Sequence, residues 1–268
     1  MNCPFWKECG MVVFNIQDRP EDLNHCFGNF RSCPSFISRS RKEHRPEIKP
    51  PENGRMITIE ELKTLSRLYF DTTYICARIK EVVKAFLKRL SERENKNPVV
   101  LIYIKEGATI FAEKIFAKLL PMLDASRIEY ETGSMKTRRY NEDTSTSIFE
   151  LIEDIPATIE LAGKTVGIFE DIVDEGATIQ FLRKHLISMG VKEKDIVIIA
   201  MIDKKVNRVI KLPEILSCIS MMGNPEEFLW GSGLDLSDNP ETRKVKEIWA
   251  IKRSLVKALR DNKWRIVA

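Results

Sequence analysis

With 268 residues, 43% of them hydrophobic, the chain suits one ordinary α/β domain with a sizeable core and an extension. Its 43 basic and 39 acidic residues balance too evenly, at net charge +4, to argue for nucleic acid binding. No apolar run approaches the ~20 residues of a membrane span, the start Met1–Glu8 lacks the apolar core of a signal peptide, and a cytoplasmic protein is the expectation.

Residues 1–37 are a compositional island holding Cys3, Cys9, Cys26 and Cys33 among interleaved phenylalanines. Clustered cysteines in a cytosolic chain point to metal more than to disulfides. Two converging pairs would suit a tetrahedral Zn²⁺, and four would suit an iron–sulfur cluster, which tolerates the wide gaps better. Free buried thiols and redox disulfides are the alternatives. Residues 38–55 are basic, proline-containing and nearly free of apolar residues, which reads as a linker.

Residues 56–97 read as a helical segment. Thr58 and Glu61 have capping-box spacing, and helical periodicity runs through Leu62, Leu65 and Tyr69, then Ile75, Ile79, Val82, Val83, Phe86 and Leu90.

From residue 98 to 252 apolar runs alternate with helical patterns, as in a sheet of buried parallel strands. Pro98–Ile104 is the first strand, and Lys105–Thr109 turns into a helix over Ile110–Leu120. Arg127–Thr132 reads as a second strand. Gly133–Ser147 is long, polar and charged, and a loop of that length is usually functional or disordered. Asp195–Ile202 is another buried strand, ending at Asp203 and Lys204, and Lys246–Ile251 is the last. Residues 253–268 read as a basic helical tail.

The stretch Thr165–Thr178 organises the rest. An apolar strand leads into the carboxylates of Glu170 and Asp171, then Ile172 and Val173, then Asp174, Glu175, Gly176, Ala177 and Thr178 at the start of a helix. Acids at the carboxyl end of a central strand lie in the ligand crevice of an open α/β sheet. A glycine-containing loop opening a helix offers free N–H groups and the positive end of the helix dipole to a phosphate. Phosphate on the loop and a diol at the carboxylate pair together describe a sugar phosphate.

This stretch resembles the 5-phosphoribosyl-1-pyrophosphate (PRPP) signature of type I phosphoribosyltransferases, and most closely the hypoxanthine-guanine pattern Glu-Asp-Ile-Ile-Asp-x-Gly-x-Thr. The likeness extends from about Pro98 to Ile251. It implies a type I phosphoribosyltransferase fold: a central, mostly parallel sheet flanked by helices, with a flap and a small hood. The implied reaction moves the phosphoribosyl group of PRPP to a 6-oxopurine base, with Mg²⁺ as cofactor.

The resemblance also assigns roles. Glu170 and Asp171 would hold the ribose hydroxyls directly or through Mg²⁺, Glu175, Gly176, Ala177 and Thr178 the 5′-phosphate, and Asp174 the base N7 proton. Lys105 and Gly107 match the pyrophosphate loop, from which Glu106 departs. Arg139 and Tyr140 fall where the family's flap carries Ser-Tyr. Lys204 stands where a lysine donates to the purine 6-oxygen. In Phe228–Asp235, Phe228 would stack on the base, Leu229 would read its edge through the backbone, and Asp235 would lie near Mg²⁺. Trp230 replaces a small apolar residue there. Arg243 follows, two residues later than the family's pyrophosphate-contacting arginine. A homo-oligomer is implied by the resemblance alone. A pyrimidine or deazapurine acceptor, and a nucleotide-sensing regulator built on the same fold, remain open at this point.

Overall fold

The computed structural model describes residues 54, 56–93, 98–141, 147–205, 208, 210–237, 239–261 and 264–267. Cys3, Cys9, Cys26 and Cys33, and with them the expected metal centre, lie outside the described residues. Those described form two compact units, one of Cys76–Ser220 and one of the chain up to Ile75 with Met221 onward.

The larger unit is built on a six-stranded sheet. In chain order its strands are β3 (Val99–Lys105), β4 (Tyr130–Asn141), β5 (Ser147–Glu153), β6 (Thr165–Val173), β7 (Ile196–Lys204) and β8 (Ile215–Met221), and their spatial order is β5-β4-β3-β6-β7-β8. β4, β3, β6 and β7 run parallel, while β5 returns antiparallel beside β4. The central strands are apolar on both faces because helices cover both. On one face Ile102, Ile168 and Ile198 pack against Ile179, Leu182 and Leu186 of helix α4 (Ala177–Ser188). On the other, the Phe169 ring meets Phe86 of α2 (Thr72–Ser91) at 6.3 Å and Phe116 of α3 (Thr109–Ala125) at 4.9 Å, both edge to face. Edge-to-face contact is a favoured aromatic geometry.

The smaller unit holds a parallel pair, β1 (Met56–Thr58) with β11 (Arg265–Val267), and an antiparallel sheet ordered β2 (Arg67–Phe70), β10 (Ile248–Lys252), β9 (Glu227–Trp230). Helix α1 (Ile59–Leu65) starts on the expected box: the Glu61 N–H donates to Thr58 Oγ1 at 3.2 Å and the Thr58 N–H to Glu61 Oε2 at 2.9 Å. Helices α5 (Pro240–Lys244) and α6 (Arg253–Asp261) complete it. Trp230 is fully buried, stacks on Trp249 at 6.1 Å, and donates its indole N–H to Ser66 Oγ at 3.0 Å.

Several local readings change in the folded chain. The polar stretch expected as a loop over Gly133–Ser147 is mostly strand: β4 runs on to Asn141 and pairs with β5 from Ser147. Its charged side chains masked the two-residue period, and the pairing is made by the backbone. The segment 56–97 contains β1 and β2 besides its helices, and the tail helix ends at Asp261 before β11. β1 finds its partner about two hundred residues away, beyond any local pattern. Helix α3 continues through Pro121 to Ala125, because Leu119 and Leu123 are both buried on its inner face and packing outweighs the local cost of proline.

Phe169→Ala removes the ring shared by α2 and α3. A loss of about 3–5 kcal/mol in unfolding free energy is expected, read from urea denaturation followed by circular dichroism.

Candidate active site

The carboxyl ends of β6 and β7 lie side by side, with Val173 opposite Asp203 in the parallel register. The residues that follow, Asp174 and Lys204, are therefore neighbours, and Lys204 Nζ lies 3.0 Å from Asp174 Oδ2. Two residues thirty positions apart become one charged pair.

After Asp174 the chain turns through Gly176, the N-cap of α4, with φ +87°. A Cβ at this position would stand 2.6 Å from Leu212 Cδ1 in an unfavourable backbone region, so only glycine fits. No side chain caps the helix, and its first turn carries no acid. The leading N–H groups thus have no intrahelical acceptor and face a cavity of about 170 Å³, lined by Glu170, by residues 172–179 and by Arg139.

Glu170 and Asp171 stand upstream of the cavity loop. Glu170 is buried, and burial, then the neighbouring Asp171 carboxylate, push its carboxyl well above the usual carboxylate range. Asp171 Oδ1 accepts the Ile172 N–H at 2.7 Å. Its carboxylate abuts the turn after β3 so closely that a Cβ at Gly107 would lie 2.5 Å from Oδ2. Gly107 therefore lets two loops from adjacent strands converge.

The acids and bases of this rim are matched with one another. Lys105 Nζ lies 2.7 Å from Glu153 Oε2, and that hydrogen bond raises the lysine and lowers the carboxyl from their ordinary ranges. Glu106 meets Lys136 at 2.6 Å and Glu175 meets Arg139 at 3.1 Å. All three pairs join site loops to the β4–β5 hairpin. Tyr140 lies on β4, opposite Ile148.

Arg208, which carries no motif, ties these strand ends together. Its Nε donates to the Asp174 carbonyl at 2.9 Å, and its Nη2 to the Val173 carbonyl at 3.1 Å, the Lys204 carbonyl at 2.8 Å and Asp203 Oδ1 at 2.6 Å. The Asp203 side chain is only 4% exposed, so this is a buried pair. Neither the strand pattern nor the PRPP signature marks Arg208. Its one sequence signal is an arginine four residues beyond Lys204.

The smaller unit carries the remaining expected residues. Phe228 is half-buried beneath the Arg253 guanidinium at 5.7 Å, and Leu229 lies in β9 opposite Ala250. Asp235 and Arg243 come together at 3.4 Å, and Arg243 Nη1 donates to the Gly233 carbonyl at 3.1 Å. Trp230 belongs to the core described above. Among the described residues no group of three or more His, Cys, Asp or Glu is placed to hold a metal ion by itself. No described helix is long and apolar enough to cross a membrane. The described cysteines are Cys76 and Cys218, and burial pushes the Cys218 thiol up to about 12.

The sequence pattern of the phosphoribosyl transferase domain matches residues 74–235, more than half of the chain. The chain belongs to the phosphoribosyl transferase domain family. Within it, this phosphoribosyltransferase is of type I and close to the hypoxanthine-guanine branch. It is 28% identical over 178 residues to the hypoxanthine-guanine phosphoribosyltransferase of Lactococcus lactis, covering 66% of this chain and 87% of that protein. The enzyme of the same name from Streptococcus pyogenes is 30% identical over 158 residues, covering 57% and 79%. A solved Trypanosoma cruzi hypoxanthine phosphoribosyl transferase superposes with TM-score 0.59 at 24% identity, over 72% of this chain and 94% of that one, a likeness of fold. The protein is therefore a pentosyltransferase, and the regulator reading is set aside.

Substitutions at two positions test how this phosphoribosyltransferase shapes its site. Arg208→Ala strands the buried Asp203 charge and is expected to cost about 3–5 kcal/mol in unfolding free energy. Arg208→Lys keeps the charge but not the planar fork, and is expected to leave KM for the phosphoribosyl donor raised although stability partly returns. Gly107→Ala should lower kcat/KM with little change in unfolding midpoint, because the added methyl displaces the Asp171 carboxylate.

Proposed function

We propose that the enzyme transfers the 5-phosphoribosyl group of PRPP to a ring nitrogen of a 6-oxopurine, releasing pyrophosphate, with Mg²⁺ as cofactor. The observation that carries this reading is the Asp174–Lys204 pair, formed at two adjacent strand ends where the phosphate loop begins. Lysine only donates hydrogen bonds, so Lys204 suits a 6-oxo group and disfavours a 6-amino group. Asp174 beside it accepts the proton of the base nitrogen that does not react. The two also hold each other's charge until substrate arrives.

The C1–O bond of the donor breaks largely before the new C–N bond forms, so positive charge develops on the ribose. Catalysis then consists of positioning, support of the leaving group and exclusion of water. The Glu175–Thr178 amides and the Thr178 hydroxyl hold the 5′-phosphate. Glu170 and Asp171 take the ribose hydroxyls. The Lys105–Gly107 loop and Arg243 serve the pyrophosphate, while Phe228 stacks on the base and the Leu229 backbone reads its edge. The β4–β5 hairpin, with Arg139 and Tyr140, closes over the reacting centre.

The donor set at Glu170 and Asp171 fits Mg²⁺. Two adjacent carboxylates, one driven toward its protonated form by burial and its neighbour, are relieved by a divalent cation. Mg²⁺ typically takes one or two carboxylates and completes its shell with water and substrate oxygens. Asp235, in the smaller unit, is a further candidate ligand by the family resemblance. When bound, the ion neutralises charge on the departing pyrophosphate. A homo-oligomer formed in the cytoplasm is part of the proposal.

Incubation with PRPP, Mg²⁺ and a panel of 6-oxo, 6-amino, 7-deaza and pyrimidine bases, with pyrophosphate release as the readout, tests the reading. Release with hypoxanthine or guanine and little with adenine is expected. Asp174→Asn should slow it at least about a hundredfold, and an unchanged rate removes Asp174 from the mechanism.

A further inference from the structure

Among the described residues, the cation lining the cavity comes from outside the phosphate loop. Arg139, on β4, lines it together with the carboxylates of Glu170, Asp174 and Glu175. Asp174 is matched by Lys204, which leaves Glu175 as the acid directly at the mouth of the phosphate loop. A dianionic phosphoryl group beside an unmatched Glu175 would meet a like charge that the partial charge of a helix terminus only partly offsets. The loop itself supplies Gly176, Ala177 and Thr178, with no cationic side chain among them.

Arg139 is built into place from the side. Its guanidinium lies 5.8 Å from the centroid of the Phe149 ring, on the opposite strand of the hairpin. Phe149 in turn stacks on Phe181 of α4 at 5.7 Å with rings 22° apart. The hairpin is thus packed on the same helix whose N-terminus opens the cavity. Arg139 Nη2 stands 3.1 Å from Glu175 Oε2, with the two side chains 46% and 67% exposed. An ion pair this exposed is weak and easily exchanged.

We propose that Arg139 is a 5′-phosphate ligand, and that Glu175 is the internal anion holding its guanidinium until the phosphate displaces it. This rests on the phosphoribosyltransferase reading of the site and adds to it: the hairpin reads the 5′-phosphate end of the substrate. Glu175 then serves as a gate on affinity. It lowers the binding of any free anion, and a ligand that also engages Asp174, Lys204 and the carboxylate pair overcomes it.

Titration calorimetry on the full chain with a nucleoside 5′-monophosphate, and separately with inorganic pyrophosphate and Mg²⁺, tests this. Arg139→Ala is expected to weaken the monophosphate at least about tenfold and pyrophosphate by less than about twofold. Glu175→Gln is expected to tighten the monophosphate severalfold in the presence of Arg139 and much less in the Arg139→Ala background. Equal weakening of both ligands, weakening of pyrophosphate alone, or no change overturns the assignment of Arg139. Additive effects of the two substitutions overturn the exchange with Glu175. Absence of binding by the wild-type chain defeats the underlying reading instead. Both side chains are largely exposed, and a thermal melt of each variant confirms that folding is unchanged.

Discussion

The guanidinium of Arg208 holds together what the chemistry needs. It reaches three carbonyls and one buried carboxylate at the ends of β6 and β7. Those carbonyls belong to Val173, Asp174 and Lys204, which border the loop that turns into α4. With their oxygens tied down, the amides that follow are directed at the cavity, and the Asp174 and Lys204 side chains are directed at each other. A planar fork suits this task because its donors are fixed in relative direction, whereas an ammonium offers a single mobile point. The cost of taking Asp203 out of water is met within the same set of contacts.

Around that anchor the rim is a ring of self-compensating charge. Glu106 and Glu175 are acids at positions where anions are expected to bind, and each is matched by a base from the β4–β5 hairpin. Lys105 is matched from the same hairpin by Glu153. Each pair is exposed and individually weak. As a set they couple the hairpin to the loops that follow β3 and β6. The departures from the family pattern at Glu106 and Arg139, together with the acid at Glu175, thus form a compensating arrangement rather than isolated losses.

The smaller unit follows a different logic. Its residues Phe228–Asp235 contain both packing and candidate binding positions, and Trp230 shows how they divide. The indole stacks on Trp249 and bonds Ser66, so it is a core element. Phe228 and Asp235 remain partly exposed near the cationic side chains of Arg253 and Arg243. Burial along β9 rises toward its carboxyl end, from half-buried Glu227 and Phe228 to buried Leu229 and Trp230, and this separates the core position from the more open one.

Short-range pattern was enough to expose the α/β architecture, the strand of Thr165–Val173, the glycine turn into α4 and the capping box at Thr58. Each is governed by residues within a few positions of one another: an apolar run, a left-handed glycine, a side chain reaching back three residues. The carboxylate pair and the loop that follows it were legible for the same reason. Tertiary structure alone decided the rest. It made strands of the polar stretch beyond Gly133, carried α3 through Pro121, matched Glu175 with Arg139, and recruited Arg208. In those cases the deciding energy comes from partners distant in sequence, through ladder pairing, helix burial or Coulomb attraction, and a one-dimensional pattern contains no distance between such partners.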